Sequence, residues 1–312
     1  MRKYDRNAIF NIAVKCLLCI VFGGGSFLLL RLAGTDMILS AATAVIVALA
    51  SVVLFSVLLR YTKFYYGYYS FVSAFLFKDK TGNVYCPCCG KHFRSFKDER
   101  FYADTAHFNP DMFKKSRQDV ICDFCRSAPR HRIIAEWADE NAKKLISSKI
   151  LYFAPELSMM LWFRRHGIRA TTADLYDKRT DLKLDITAID LPDGTQDVIF
   201  CNHVLEHVSD YKPALSELHR ILRKDGMLII SFPIDPNADS VLELTGSTKE
   251  ERIKLGGQHD HLRVFGMDSS KLLEDSGFEV STIDLGNMPD NILPVEGPAD
   301  FDSNMIFCCI RK

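Results

Sequence analysis

Apolar residues follow three different rhythms along this chain. Residues 37–59 (MILSAATAVIVALASVVLFSVLL) run for 23 positions without a charge. As a helix, such a run is long enough to cross a bilayer core of about 30 Å. Residues 11–33 are also mostly Leu, Ile, Val and Phe, interrupted by Lys15 and by Gly23-Gly24-Gly25. The pair predicts two membrane spans joined by a short turn near Gly34-Thr35-Asp36. A cleaved signal peptide fits poorly, because a second long apolar run follows almost at once. Residues 61–77 (YTKFYYGYYSFVSAFLF) then hold nine Tyr or Phe among 17. Aromatic rings favour the membrane–water boundary, so this stretch is expected to lie at the interface. A core helix of the following domain is the competing reading.

From Lys149 the pattern switches to short apolar runs that alternate with amphipathic stretches, which predicts a mostly parallel sheet. Strands are expected at 149–153, 168–174, 182–185, 196–203 and 227–232, with helices at 157–167, 213–223 and 267–278. Two further strand-like runs, 279–285 and 304–310, suit an edge hairpin. Gly226 and Gly277 mark a turn and a helix stop. Residues 131–146 form one more amphipathic helix, with Ile133, Ile134, Trp137, Ala138, Ala142 and Leu145 on one stripe.

Charge sharpens the division. Residues 1–130 carry 18 Lys and Arg against 9 Asp and Glu, and residues 131–312 carry 21 against 30. A basic front suits an anionic bilayer, while the acidic remainder argues against nucleic acid as a partner. Arg2, Lys3 and Arg6 precede the first span, Arg60 and Lys63 follow the second, and only Arg31 lies between. By the positive-inside rule both ends face the cytoplasm. The expected location is a bacterial inner (cytoplasmic) membrane with the soluble parts on the cytoplasmic side.

Ten cysteines are present. Cys16 and Cys19 fall in the apolar first run, Cys201 in a buried strand, and Cys308 with Cys309 in the last strand. The informative group is CPCCG with CDFC. Cys86 and Cys89, with Cys122 and Cys125, form two C-x-x-C units able to close a four-thiolate zinc site. A cytoplasmic placement argues against disulfides. Cys88 is an alternative to Cys86 or Cys89, and His92, His107 or His131 to any one cysteine. Such a site is structural, and metal binding supplies folding energy to a segment with few apolar residues. The expected domains are therefore a membrane hairpin with its interfacial segment (1–77), a zinc segment (78–130) and a catalytic domain (131–312).

Polar residues collect where the predicted strands end. Asp174 follows Phe153 by 21 residues, the spacing at which an acid grips ribose hydroxyls in nucleotide-binding sheets. Asp185 and the pair Asn202-His203 stand at two more strand ends. A single acid at such a position is often just a turn cap, but three in register point to a ligand rim. His207 either orients the following loop or serves as a base. His259 and His261 flank Asp260 in a Gly-bounded loop, read as a substrate-side lid, a structural loop or a metal site.

CPCCG and C-x-x-C followed by RHR, the FAPE turn, NHVLEHV and GGQHDHLRVFG together resemble the class I S-adenosylmethionine-dependent methyltransferases. They resemble in particular bacterial members with a Cys-x-x-Cys zinc segment. The likeness covers about residues 84–312 and leaves the membrane hairpin outside. It implies an α/β fold: a Rossmann-like, mostly parallel seven-stranded sheet with helices on both faces, after a small zinc-ribbon-like segment; the transmembrane helical hairpin expected from the apolar runs precedes both. It also implies S-adenosylmethionine as cofactor. Phe153, Ala154, Pro155 and Glu156 would approach its methionine part, with Asn202 and His203 beside them. Asp174 would hold the ribose, and Asp185 and Ile186 would border the adenine. The first turn departs from the glycine-rich form. His203 and His207 are the candidate catalytic residues, and 234–266 is long enough for an acceptor lid. The expected acceptor is a small or lipid-linked molecule. Ribosomal RNA methylation and a non-catalytic, membrane-anchored zinc scaffold are the rival functions.

Overall fold

The computed structural model describes residues 19–61, 82–100, 116–235, 237–283, 292 and 305–312. The chain divides into two compact units, Met1–Phe71 and Val72–Lys312. The start of the first expected span, Arg2, Lys3, Arg6, Lys63, nearly all of the aromatic stretch and His107 lie outside the described residues.

In the first unit a π-helical turn, Cys19–Gly23, runs into α1, Gly24–Leu32. A turn at Gly34, with φ of 78°, leads into α2, Met37–Tyr61. The turn is held by Ser40, whose hydroxyl bonds Thr35 Oγ1 at 2.7 Å and Asp36 O at 2.8 Å. The two helical segments touch closely at Gly23, where an added Cβ would lie 3.0 Å from both Ala44 O and Ala48 Cβ. Small residues let helix backbones approach in this way. The outer side chains of α2 are apolar and open, with Ile38 78% and Ile46 66% exposed. Among the described residues only α2 is long and apolar enough to cross a membrane.

The second unit begins with two small antiparallel ladders. β1, Val84–Cys86, pairs with β2, Lys91–Phe93, and β3, Lys97–Arg100, pairs with β4, Ser116–Ile121. The stripe expected over 131–146 is split into α3, Pro129–Glu140, and α4, Ala142–Ile146. Asn141 makes the break: its Nδ2 donates to Trp137 O at 2.8 Å, the local competition that removes Asn from helix interiors.

The sheet elements follow in order: β5, Ile150–Phe153; α5, Leu157–Arg165; β6, Ala170–Asp174; β7, Leu182–Lys183; β8, Gln196–Asn202; α6, Tyr211–Ile221; β9, Leu222–Ser231. After them come β10, Leu242–Glu243; α7, Lys249–Gly256; β11, Arg263–Val264; α8, Ser269–Asp275; β12, Phe278–Thr282; and β13, Phe307–Arg311. The seven-stranded sheet runs β12-β13-β9-β8-β5-β6-β7. From β9 to β7 the neighbours are parallel, and β13 is antiparallel to both β9 and β12. All four β5 residues are buried, as the continuous apolar runs of a parallel sheet require.

Besides the split at Asn141, three details differ from the sequence expectation. β7 has two residues rather than four, and Asp185 lies past it in an isolated bridge to Ala188. The turn expected at Gly226 is a break in the β8–β9 ladder, between Gln196↔Leu222 and Val198↔Met227. A Cβ on Gly226 would sit 2.7 Å from Arg223 O, so the break requires glycine. α7 was not expected. Its capping box, with Glu251 N donating to Thr248 Oγ1 and Thr248 N donating to Glu251 Oε2, is the sequence signal that announces it.

Candidate functional site

At the carboxyl end of β5 the chain turns through Ala154, whose φ of 47° lies in the left-handed region. A residue with a Cβ pays about 1–2 kcal/mol there, so the turn has the shape glycine serves without the glycine. The Ala154 N–H donates to Ala173 O at 2.9 Å, which joins the turn to β6. Phe153 is buried beneath it. Glu156 is committed to a neighbour: Arg130 donates to its Oε1 at 2.8 Å, and His131 Nε2 stands 2.6 Å from the same oxygen. His131 Nδ1 accepts from Ala128 N, so the ring proton is on Nε2, facing the carboxylate. Burial would raise Glu156, but the His131 ring and the Arg130 guanidinium reverse this and hold the carboxyl well below its usual range. Its Oε2 is buried with no partner.

The two strand-end acids cap turns. Asp174 Oδ1 accepts from Tyr176 N at 2.7 Å and Asp177 N at 2.8 Å. Asp185 Oδ1 accepts from Thr187 N and Thr187 Oγ1, and these bonds lower its pKa. Ile186 beside it is 5% exposed. Capping fixes both carboxylates at the rim. It occupies one oxygen of Asp174 in turn geometry.

The end of β8 differs in kind. Asn202 is 2% exposed. Its Oδ1 accepts from Ser231 Oγ at 2.9 Å, and its Nδ2 is buried without a partner. His203 turns left-handed, with φ of 53°. Its N–H donates to Ser231 O at 2.8 Å, its Nδ1 is 3.2 Å from Glu206 Oε1, and its Nε2 is buried without a partner. Buried polar atoms are nearly always bonded. Unsatisfied atoms of both signs along one sheet rim are what a polar ligand would complete. S-adenosylmethionine, with its amine, carboxylate and hydroxyls, fits that set.

Sequence reasoning missed what braces this rim. Arg263, 1% exposed, donates to the carbonyls of Leu205, Val208 and Ser209 and to Glu243 Oε1. Leu262 N donates to Glu206 O at 2.7 Å. The HLRVF stretch thus clasps the LEHV turn, which is why the chain needs both motifs. The available signal was an arginine between apolar strand residues, where a buried guanidinium must find carbonyls.

The cysteine segment gathers as expected. Sγ atoms of Cys86, Cys89, Cys122 and Cys125 all lie within 4.8 Å of one another, with Cys86–Cys125 at 3.6 Å and Cys89–Cys122 at 3.9 Å. Tetrahedral zinc–sulfur bonds of about 2.3 Å place sulfurs about 3.8 Å apart. All four are free thiols and buried. Cys88 instead donates to His131 O, His92 is exposed, and His131 is taken by Glu156, so none of these joins the cluster. Two arginines fasten it to the sheet domain. Arg132 donates to Val120 O, Ser127 O and Ile292 O, and Arg165 to Pro87 O.

Residues 158–230 match the family model described as a methyltransferase domain. The match spans Asp174, Asp185, Asn202, His203 and Glu206. Over residues 158–230 the chain is similar to a methyltransferase domain. A curated relative, an uncharacterized 37.1 kDa protein in transposon TN4556 of Streptomyces fradiae, is 31% identical over 106 residues. The alignment covers 32% of this chain and spans only 29% of that relative's length. Solved structures resembling the chain include 1,6-didemethyltoxoflavin-N1-methyltransferase of Burkholderia thailandensis with S-adenosylhomocysteine bound, at 14% identity, TM-score 0.38, 59% of this chain and 79% of that one. An S-adenosylmethionine-dependent methyltransferase of Archaeoglobus fulgidus (13%, TM-score 0.39, 58% and 94%) and one of Mesorhizobium loti (16%, TM-score 0.38, 56% and 97%) are also similar.

Proposed function

We propose that this protein transfers a methyl group from S-adenosylmethionine to a small or lipid-linked acceptor at a membrane. The observation that carries the reading is the pair of buried, unpartnered side-chain nitrogens, Asn202 Nδ2 and His203 Nε2, at the end of β8. When bound, the cofactor supplies an electrophilic methyl on sulfur. Asp174 would accept from ribose hydroxyls, Asp185 and Ile186 would flank the adenine, and Asn202 with the Phe153–Glu156 turn would hold the methionine part. The chain's task is then to align donor and acceptor and to exclude water. His203 and His207 are the candidates to take a proton from an acceptor that must lose one. The four cysteines would hold structural zinc.

Membrane placement is supported by the length and outward apolar surface of α2, and by the packing of α1 along it. That location suggests an acceptor that is lipid-linked or made at the bilayer. The cytoplasmic orientation comes from the flanking Lys and Arg.

Calorimetry of the detergent-solubilised chain with S-adenosylmethionine tests the core of the reading. Saturable binding is expected, and Asp174→Asn should weaken it about tenfold to a hundredfold, as loss of a charged hydrogen bond does. Asn can keep the turn cap, so the loss would report on the ligand. No heat at millimolar cofactor, with zinc retained, would favour the zinc scaffold, a reading supported by Ala154 and Pro155 in place of glycines and by the engagement of Glu156.

A further inference from the structure

Glu206 leaves a question that the methyl-transfer reading does not answer. Its side chain is 0% exposed, and neither carboxylate oxygen has an aligned hydrogen-bond partner. An ionised carboxylate in such a place costs several kcal/mol unless something positive meets it. Three imidazoles stand around it: His203, whose Nδ1 is 3.2 Å from Oε1, and the rings of His207 and His261. A carboxylate oxygen of Glu206 and one ring nitrogen each of His207 and His261 all lie within 4.8 Å of one another. Glu206 Oε1 is 4.0 Å from His207 Nε2, and the two rings meet edge to face, with centroids 4.8 Å apart.

The outer faces of both rings reveal their tautomers. His261 Nδ1 lies 2.6 Å from Gly256 O, a carbonyl, so that nitrogen carries the proton. His207 Nδ1 faces Asp260 on two atoms, the carbonyl at 3.3 Å and Oδ2 at 3.5 Å, and is the donor there as well. Each ring therefore turns an Nε2 lone pair inward. His261 Nε2 is buried with no partner, in a residue 3% exposed. Lone pairs and a carboxylate converging without a proton between them repel one another. A cation resolves the conflict. Metal-bound histidines commonly donate the other ring nitrogen to a backbone carbonyl or carboxylate, and both of these do so.

We propose that Glu206, His207 and His261 bind a divalent transition-metal ion, distinct from the four-cysteine site. Two imidazoles and one carboxylate suit zinc or iron(II), and three protein ligands leave coordination open to an exogenous oxygen. His203, 3.2 Å from Glu206 through Nδ1, orients the carboxylate. The backbone for the site is preformed, since Leu262 N bonds Glu206 O and Arg263 clasps residues 205–209. The assignment does not depend on the proposed methyl transfer, although a metal on His207 Nε2 would leave His203 as the candidate base there.

Cobalt titration of the metal-stripped, full-length chain in detergent tests it. Cobalt on thiolates gives strong near-ultraviolet charge transfer; cobalt on nitrogen and oxygen gives only weak visible bands. Two equivalents are expected, one of each signature. Glu206→Gln and His207→Ala should each abolish the second and leave the thiolate band, which also reports that the protein is folded. Should Glu206→Gln fail to fold, His207→Ala, at a side chain 33% exposed, carries the test alone. Asp260→Ala should weaken the second site about tenfold to a hundredfold. Binding of one equivalent only, or a second equivalent indifferent to His207→Ala, would overturn the proposal and leave a metal-free Glu–His cluster.

Discussion

Glu156 shows how a single carboxylate can tie two parts of the molecule together. Its folded pKa is depressed, so its contribution to stability is present above the unfolded value and fades as pH falls below about 4.5. Glu156→Gln should therefore flatten the acid side of the stability curve of residues 72–312, seen as a smaller drop in Tm between pH 5 and pH 3. An unchanged slope would mean that other carboxylates govern acid unfolding. Of the residues at the rim, Asp174 and Asn202-His203 could be located from the strand pattern, because a parallel strand presents its carboxyl end to the ligand side. Glu206 stands out in the sequence only as half of a Glu-His pair in the polar crest after β8, with no role of its own. Its partners arrive from residues 256–263, and no local pattern announces a meeting across more than fifty positions.

Elements are joined here by arginines and by one glycine. Gly90 has φ of 70°, and a Cβ there would fall 2.4 Å from the Arg165 guanidinium. Gly90→Ala should cost about 2–3 kcal/mol, from left-handed strain plus a displaced hydrogen bond, and should raise the rate of zinc loss to a chelator. Arg263→Met should be worse. It leaves the carbonyls of Leu205, Val208 and Ser209 without their donor in a buried place, and a Tm lower by several degrees is expected, with the strand content kept. The strands and α5 were legible because their apolar runs are local. The break at Asn141 and the short β7 were not, since each depends on a specific side-chain bond or on where a neighbouring strand stops.

At the scale of the whole molecule an apolar helical unit precedes a unit that combines a four-cysteine cluster with a seven-stranded sheet. Deleting residues 1–77 should move the protein from the membrane pellet to the supernatant after ultracentrifugation; retention in the pellet would refute the anchor. Stripping the cysteine site should loosen Val84–Ser127 first, visible as faster amide exchange there before the sheet responds. The charge-free run marked the first unit in the sequence, whereas the charge asymmetry divides the chain at residue 130, well past the boundary between Phe71 and Val72. The place of β13 was only half legible: a hairpin was expected, yet β13 lies inside it against β9 while β12 takes the edge. During synthesis, residues 278–282 thus emerge with no neighbour to join until 307–311 have left the ribosome. The sheet would therefore close late, its outer edge the last part of the molecule to find a neighbour.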